Sequence, residues 1–165
     1  WLKKDLLALE SNLVQSLVLK NEEGGSFSIN RDSAETDWKS SSEKSDVPDS
    51  DKITTLLNRL GMLSFSKLYI NDSVSQQAEG TDLIETTLFV SLFDSRVYTL
   101  NLRKNVASNE NYILSIRMGI SMVAFDNSEA EDSKLRDEMG IYNQQVNGRF
   151  YEISSWEGKE LLLSE

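Results

Sequence analysis

Two short segments place a serine three residues before a lysine, as penicillin-recognising enzymes do around their serine nucleophile. The pairs are Ser41 with Lys44 and Ser64 with Lys67. In a chain with 24 serines and 10 lysines, about one or two such matches arise by chance. The companion motifs of that enzyme class are missing from the sequence. We therefore interpret both matches as chance spacings.

Oxygen ligands are dense over residues 126–132, as they are in a calcium-binding loop. An EF-hand loop needs a turn glycine at its sixth position, where Glu131 stands, and a bidentate glutamate at its twelfth, which is absent. An acidic helix start explains the segment better, because negative charge is favourable at a helix N-terminus. Asp46, Asp49 and Asp51 form a second acidic cluster, which we interpret as helix capping and loop solubility.

Histidine and cysteine are both absent from the 165 residues. Their absence removes the Ser-His-Asp and Cys-His arrangements, the ordinary zinc sites and every disulfide. A pair of carboxylates could still hydrolyse a glycosidic bond, and the chain has 27 acidic residues, but no spacing selects a pair. We predict that the chain is not an enzyme and has no catalytic, cofactor-binding or metal-ligating residues. A carboxylate-only hydrolase is the weakest alternative.

The net charge of −10 bears on the class of partner. Nucleic acid would be repelled, because no basic cluster offsets the negative charge. The glycines at positions 24 and 25 predict a hairpin turn and not a phosphate-binding loop, so no cofactor is expected. Trp1, Trp38 and Trp156 could line a ligand groove, although tryptophan more often fills the core of a small domain.

The elements of the first half follow from alternation and from helical spacing. Alternating apolar residues predict strands over residues 13–20 and 26–30, joined by a turn at residues 22–25. A short third strand is expected at Trp38, followed by a serine-rich loop over residues 40–50. Asp49 or Ser50 caps a helix that ends near Gly61, and a strand follows over residues 65–70. The apolar stripe of that helix is Ile53, Leu56, Leu57, Leu60 and Leu63.

The second half repeats this order. A hairpin is predicted over residues 83–103 with its turn at Asp94 and Ser95, followed by a strand over residues 112–118. Acidic residues open a second helix, Gly148 ends it, a strand covers residues 150–153, and a helix begins at Ser155. The stripe of the second helix is Leu135, Met139, Tyr142 and Val146.

The sequence therefore predicts one α+β domain over residues 1–165, in which antiparallel β-hairpins pack with two main helices. The two halves, residues 13–70 and 83–153, have the same order of elements, which indicates two similar β-β-β-α-β units.

Several motifs resemble those of a bacterial family catalogued as domain of unknown function 4340. The segment Trp-Leu-Lys-Lys-Asp-Leu-Leu at residues 1–7 matches the opening of that family. Residues 14–19, 25–31 with Trp38, and 51–63 match its early strands and its leucine-rich helix. At the other end, residues 135–156 resemble its closing block, with Ser154 where proline is common.

The resemblance implies a protein at the periplasmic face of the bacterial inner membrane, associated with ABC-type or gliding-motility-type transport systems. The chain begins at Trp1 and has no apolar run of about 20 residues, so we expect the membrane anchor in a preceding segment. The expected function is that of a non-enzymatic extracytoplasmic accessory domain that binds an ABC-type permease or another envelope component. The alternative is a soluble glycan- or lipid-binding module of the same kind of system. The resemblance carries over no catalytic residues, and the oligomeric state stays open.

Overall fold

The computed structural model of the protein describes residues 7, 9–21, 27–40, 49–63, 65, 67–70, 85–104, 111–120 and 129–161. Within these residues, eight strands form one antiparallel sheet and three α-helices pack with it. The predicted α+β class is therefore confirmed. The strands are β1 Val14–Asn21, β2 Phe27–Asn30, β3 Lys39–Ser40, β4 Lys67–Ile70, β5 Glu85–Leu92, β6 Arg96–Lys104, β7 Tyr112–Ile120 and β8 Arg149–Ile153. The helices are α1 Ser50–Gly61, α2 Glu129–Val146 and α3 Ser155–Leu161.

The order of strands across the sheet is β3-β2-β1-β5-β6-β7-β8-β4. The two predicted halves meet where β1 pairs with β5. From this junction, β1, β2 and β3 follow one another in one direction, and β5, β6 and β7 follow one another in the other. The fourth strands differ, because β8 lies beside β7 whereas β4 lies on the far side of β8. The order strand, strand, strand, helix, strand does recur along the chain. An origin by duplication stays a prediction.

One face of the sheet forms the core. The cross-strand row Leu19, Leu88, Leu100 and Ile116 is buried, and it packs with buried leucines of α1 and α3. The next row, on the opposite face, runs through Val18, Phe89 and Thr99 to Arg117 and is half-buried to exposed. This is the alternation expected when an antiparallel sheet has one face toward the core and the other toward solvent.

Arg31 connects three segments at the start of the sheet. Its Nε donates to the Val14 carbonyl at 2.8 Å, where the β1–β5 register shifts, and its Nη2 donates to the Ser11 carbonyl at 2.6 Å. Its Nη1 donates to the Ala34 carbonyl at 3.2 Å, and its guanidinium lies 4.6 Å from the ring centre of Trp38. Burial lowers the pKa of Arg31. Trp38 itself comes directly before β3 and is partly buried against the core.

Helix α1 begins and ends as its residues predict. The Asp49 side chain accepts a hydrogen bond from the Asp51 N–H at 3.1 Å, which caps the helix. The predicted stripe is buried, including Leu63 just beyond the helix. A Cβ atom on Gly61 would lie 2.8 Å from the Leu9 carbonyl oxygen, so glycine lets the chain pass close to the helix end.

Helix α2 packs beside β7 and is fixed to the β5–β6 turn. Arg96 pairs with Asp94 in that turn, at 3.4 Å, and with Glu138 on the helix. The rings of Tyr98 and Tyr142 meet edge to face at 5.5 Å between centroids. Gly148 has a φ of 69° in the turn from α2 into β8, a conformation that glycine adopts readily.

Candidate functional site

Contacts just before, in the middle and at the end of α3 fix the position of this helix on the sheet. Ser154 Oγ accepts a hydrogen bond from the Glu157 N–H at 3.3 Å, which caps the first turn of α3. A Cβ atom on Gly158 would lie 2.1 Å from Cδ2 of Tyr112, so the bare backbone of α3 rests on this ring. Leu161 is fully buried at the other end of the helix. Together these contacts hold a seven-residue helix in one orientation on the sheet.

Trp156 points away from the core. It is 53% exposed, so the expectation that this tryptophan fills the interior is wrong. The Arg59 guanidinium carbon lies 4.3 Å from the Trp156 ring centre, a cation–π stack between α1 and α3. Arg59 Nε also donates to Glu160 Oε2 at 2.8 Å. The Arg59 side chain is therefore held from two directions, and it supports one face of the exposed ring.

Helix α1 supplies the neighbouring surface. Thr55, Asn58, Arg59 and Met62 follow the spacing i, i+3, i+4 and i+7, so they share one side of the helix, and with Glu160 they line a shallow cleft of about 150 Å³. Met62 is 70% exposed. We refer to this surface as the α1–α3 face; it consists of Thr55, Asn58, Arg59, Met62, Trp156 and Glu160.

A second and larger cleft lies where β7 and β8 separate. These strands pair from Tyr112 to Leu114 on β7, and beyond this β8 continues against β4 while β7 continues against β6. The C-terminal part of α2 borders the gap and leaves a cleft of about 660 Å³. We refer to it as the β7–β8 cleft; its lining includes Ser115, Arg117, Gln144, Asn147, Arg149 and Phe150.

Asn143 of α2 takes the place of a neighbouring strand inside this gap. Its Oδ1 accepts from the Met118 N–H, and its Nδ2 donates to the Met118 carbonyl, both at 2.9 Å. Backbone groups two residues apart in a strand point the same way, so the N–H and C=O of Ile116 also point away from β6, toward the cleft. Ile116 is among the residues that line the cleft.

None of the described residues of the motifs considered first lines either cleft. Residues 41–44, Ser64, Ser66 and the start of the acidic segment, residues 126–128, lie outside the described residues. Among the described residues, no group of three or more acidic side chains is arranged to hold a metal ion. Asp49 serves as the cap of α1, in agreement with the interpretation of its cluster.

Carboxylates are scarce at the two clefts. Glu160, paired with Arg59, is the one carboxylate among the described residues that line them. Elsewhere, Arg96 pairs with both Asp94 and Glu138, so neither of these carboxylates is free of a cation. Among the described residues that line these two clefts, no two carboxylates face each other across an open space, as glycoside hydrolysis requires.

Sequence reasoning missed both surfaces, although two signals were present. Ser154 and Glu157 have the spacing of a capping box, which predicts that the next residues are helical and places Trp156 in a first turn. Gly158 in the middle of a short helix signals close contact with another group. The separation of β7 from β8 has no local signature.

Comparison with known proteins adds no relative. No family model matches the chain, and neither a curated protein nor a solved structure has a significant match to it. The resemblance to domain of unknown function 4340 therefore stays an expectation that depends on its motifs. Among the described residues, no helix is long and apolar enough to cross a membrane.

Proposed function

We propose that this chain is a non-enzymatic interaction domain that binds a protein partner through the α1–α3 face. The observation that carries the proposal is the half-exposed Trp156, held in place by Arg59. Tryptophan, arginine and methionine are enriched in protein interfaces, and tryptophan and arginine are also enriched at energetic hot spots. All three residue types meet on this one face.

The rigidity of the face favours binding. An arginine that is free in solution loses side-chain entropy when it is ordered in a complex, which costs about 0.5–1.5 kcal/mol. Arg59 is already ordered, because Glu160 and Trp156 hold it in the unbound chain. Trp156 itself is positioned by the docking of α3 on Tyr112. A partner would therefore meet a surface that needs little rearrangement.

The class of partner comes from the family resemblance. The motifs at residues 1–7 and 135–156 favour an extracytoplasmic domain tethered to the bacterial inner membrane by a preceding segment. The proposed partner is a subunit of an ABC-type permease or another component of the envelope. The domain would act as an accessory that attaches to the transporter and performs no chemistry itself.

Co-purification from the source bacterium tests the proposal. The full-length protein and its Trp156→Ala variant are each extracted in a mild detergent, and the bound proteins are identified by mass spectrometry. We expect a permease subunit with the unaltered protein. Removal of a hot-spot tryptophan costs about 2 kcal/mol or more, so Trp156→Ala should lower the affinity about thirtyfold.

Ile141→Ala is the matched control for this experiment. Ile141 is 60% exposed and lies on α2, outside the α1–α3 face, so its loss should leave binding unchanged. Circular dichroism checks that each variant is folded. If the unaltered protein reproducibly purifies alone, or if both variants bind the permease equally well, the proposal is wrong.

The described linings of the two clefts hold no pair of carboxylates, so neither cleft favours the carboxylate-only hydrolase. A lipid-binding module would need a deep apolar cavity, whereas most of the described residues that line the β7–β8 cleft are polar or charged. The alternative function is a soluble module that binds a glycan or a lipid. The polar lining of the cleft favours a hydrophilic ligand such as a glycan over a lipid.

A further inference from the structure

The β7–β8 cleft combines two cationic side chains with a row of amides. Arg117 on β7 and Arg149 on β8 are the charged residues among the described lining, and both are exposed. Gln144 and Asn147 add amide groups from the end of α2. In a chain of net charge −10, a concave surface with two positive charges and no described carboxylate is a local exception. It attracts an anionic group by charge and by hydrogen bonds.

The end of α2 adds acceptors to these donors. The carbonyl groups in the last turn of a helix lack partners within the helix and carry partial negative charge. The helix ends at Val146, and both Gln144 and Val146 line the cleft. A bare anion would be repelled by these carbonyls, whereas a ligand hydroxyl would donate to them. The surroundings therefore favour a molecule that carries hydroxyl groups as well as an anionic group.

The cleft is also organised before any ligand arrives. Asn143 anchors the end of α2 to the Met118 backbone and so keeps the gap between β7 and β8 at a fixed width. The half-buried Phe150 offers a ring on which the apolar face of a sugar can pack. The volume of about 660 Å³ is in the range of small-molecule sites.

We propose that the β7–β8 cleft binds an anionic carbohydrate, a sugar that carries a carboxylate or a phosphate group. Arg117, from the face of the sheet away from the core, and Arg149, from the core face of β8, would approach the anionic group from the two sides of the gap. The amides, the helix-end carbonyls and the Ile116 peptide would bind the hydroxyls. This site is separate from the α1–α3 face and does not depend on the interaction proposed there.

A titration of the ¹⁵N-labelled protein, followed by amide chemical shifts, tests this proposal. The probes are sodium glucuronate, glucose 6-phosphate, glucose and inorganic phosphate. We expect glucuronate, glucose 6-phosphate or both to shift the amide signals of Ser115, Gln144 and Asn147, with a Kd of about 1 mM or tighter. Which of the two binds more tightly distinguishes a carboxylate from a phosphate. Glucose and inorganic phosphate should each bind about tenfold more weakly or not at all.

Variants of the two arginines complete the experiment. Arg117→Gln and Arg149→Gln should each weaken the binding of the preferred acidic sugar about tenfold, because each removes a charged hydrogen-bond donor. Arg136→Gln, at an exposed position of α2 that does not line the cleft, should leave the affinity unchanged.

Four results would overturn the proposal. The first is that neither acidic sugar binds. The second is that inorganic phosphate binds as tightly as glucose 6-phosphate, which would make the cleft a plain anion site. The third is that glucose binds as tightly as the acidic sugars, which would remove the role of the arginines. The fourth is that Arg136→Gln weakens binding as much as the two cleft variants do.

Discussion

Replacement of Gly158 by alanine should destabilise the protein, although alanine favours helices. In the middle of a helix, Gly→Ala normally stabilises by about 0.5–1 kcal/mol. At Gly158 the new methyl group would lie 2.1, 2.6 and 2.7 Å from three ring atoms of Tyr112, including Cγ. Cγ sits close to the backbone of β7, so the ring cannot swing away without moving the strand or lifting α3.

The steric cost of the new methyl group is larger than the gain in helix propensity. Overpacking of a core typically costs about 1–3 kcal/mol and sometimes more. An overlap with three ring atoms belongs at the upper end of that range, so we expect a net loss of about 2 kcal/mol for Gly158→Ala after the helix-propensity gain. In α2, a Cβ atom on Gly140 would meet nothing within 4 Å. Gly140→Ala should therefore stabilise by about 0.5–1 kcal/mol.

Urea unfolding followed by tryptophan fluorescence measures both variants under identical conditions. The same Gly→Ala change in two helices has similar effects on the unfolded chain, so their difference reports on the folded state. We expect the two free energies of unfolding to differ by about 3 kcal/mol, or about 6–12 °C in Tm for a domain of this size. In a Tyr112→Ala background the penalty at Gly158 should disappear. A Gly158→Ala variant as stable as the unaltered protein would refute the proposed docking of α3.

Three further predictions concern the sheet and α1. Arg31→Lys should lower the free energy of unfolding by about 2 kcal/mol, measured in urea, because one ammonium group cannot reach three carbonyls at once. Asp49→Ala should cost about 1 kcal/mol in the same assay, since it removes the cap of α1. Burial raises the pKa of Tyr142 above its ordinary value of 10.0, so the stability that this phenol contributes is complete below pH 10 and is lost as the pH rises toward the folded-state pKa. Unfolding measured between about pH 8 and pH 11 should show this loss, and Tyr142→Phe should reduce it.

Most elements could be predicted because their signals are local. In β7, Leu114, Ile116 and Met118 alternate with other residues, which predicts a strand with one buried face. The spacing from Ile53 to Leu60 predicts a helix with one buried side. The hairpins followed from short turns between such strands. Strand boundaries differ from the prediction by one or two residues, for example at β4, which begins at Lys67 where residue 65 was expected.

The arrangement of the elements depends on contacts between distant residues, which leave no local pattern. The pairing of β4 with β8 joins residues about 80 positions apart, and it separates β8 from β7 to open the cleft. The exposure of Trp156 depends on how a seven-residue helix docks, and so short a helix has too few turns for its buried side to be read from spacing. The contacts of Arg31 have no local pattern either, because its acceptors include Val14, at the start of β1, and Ser11, in the turn before β1.

Site-specific photo-crosslinking from the α1–α3 face is the most direct test of the proposed function. A photoreactive amino acid is placed at position 156 of the full-length protein in the membranes of its own bacterium, and at position 141 as a control. We predict a crosslink from position 156 to a subunit of an ABC-type permease or another envelope component, and none to it from position 141. A crosslink of equal yield from both positions, or no crosslinked partner at position 156, would contradict the assignment of this face as the interaction surface.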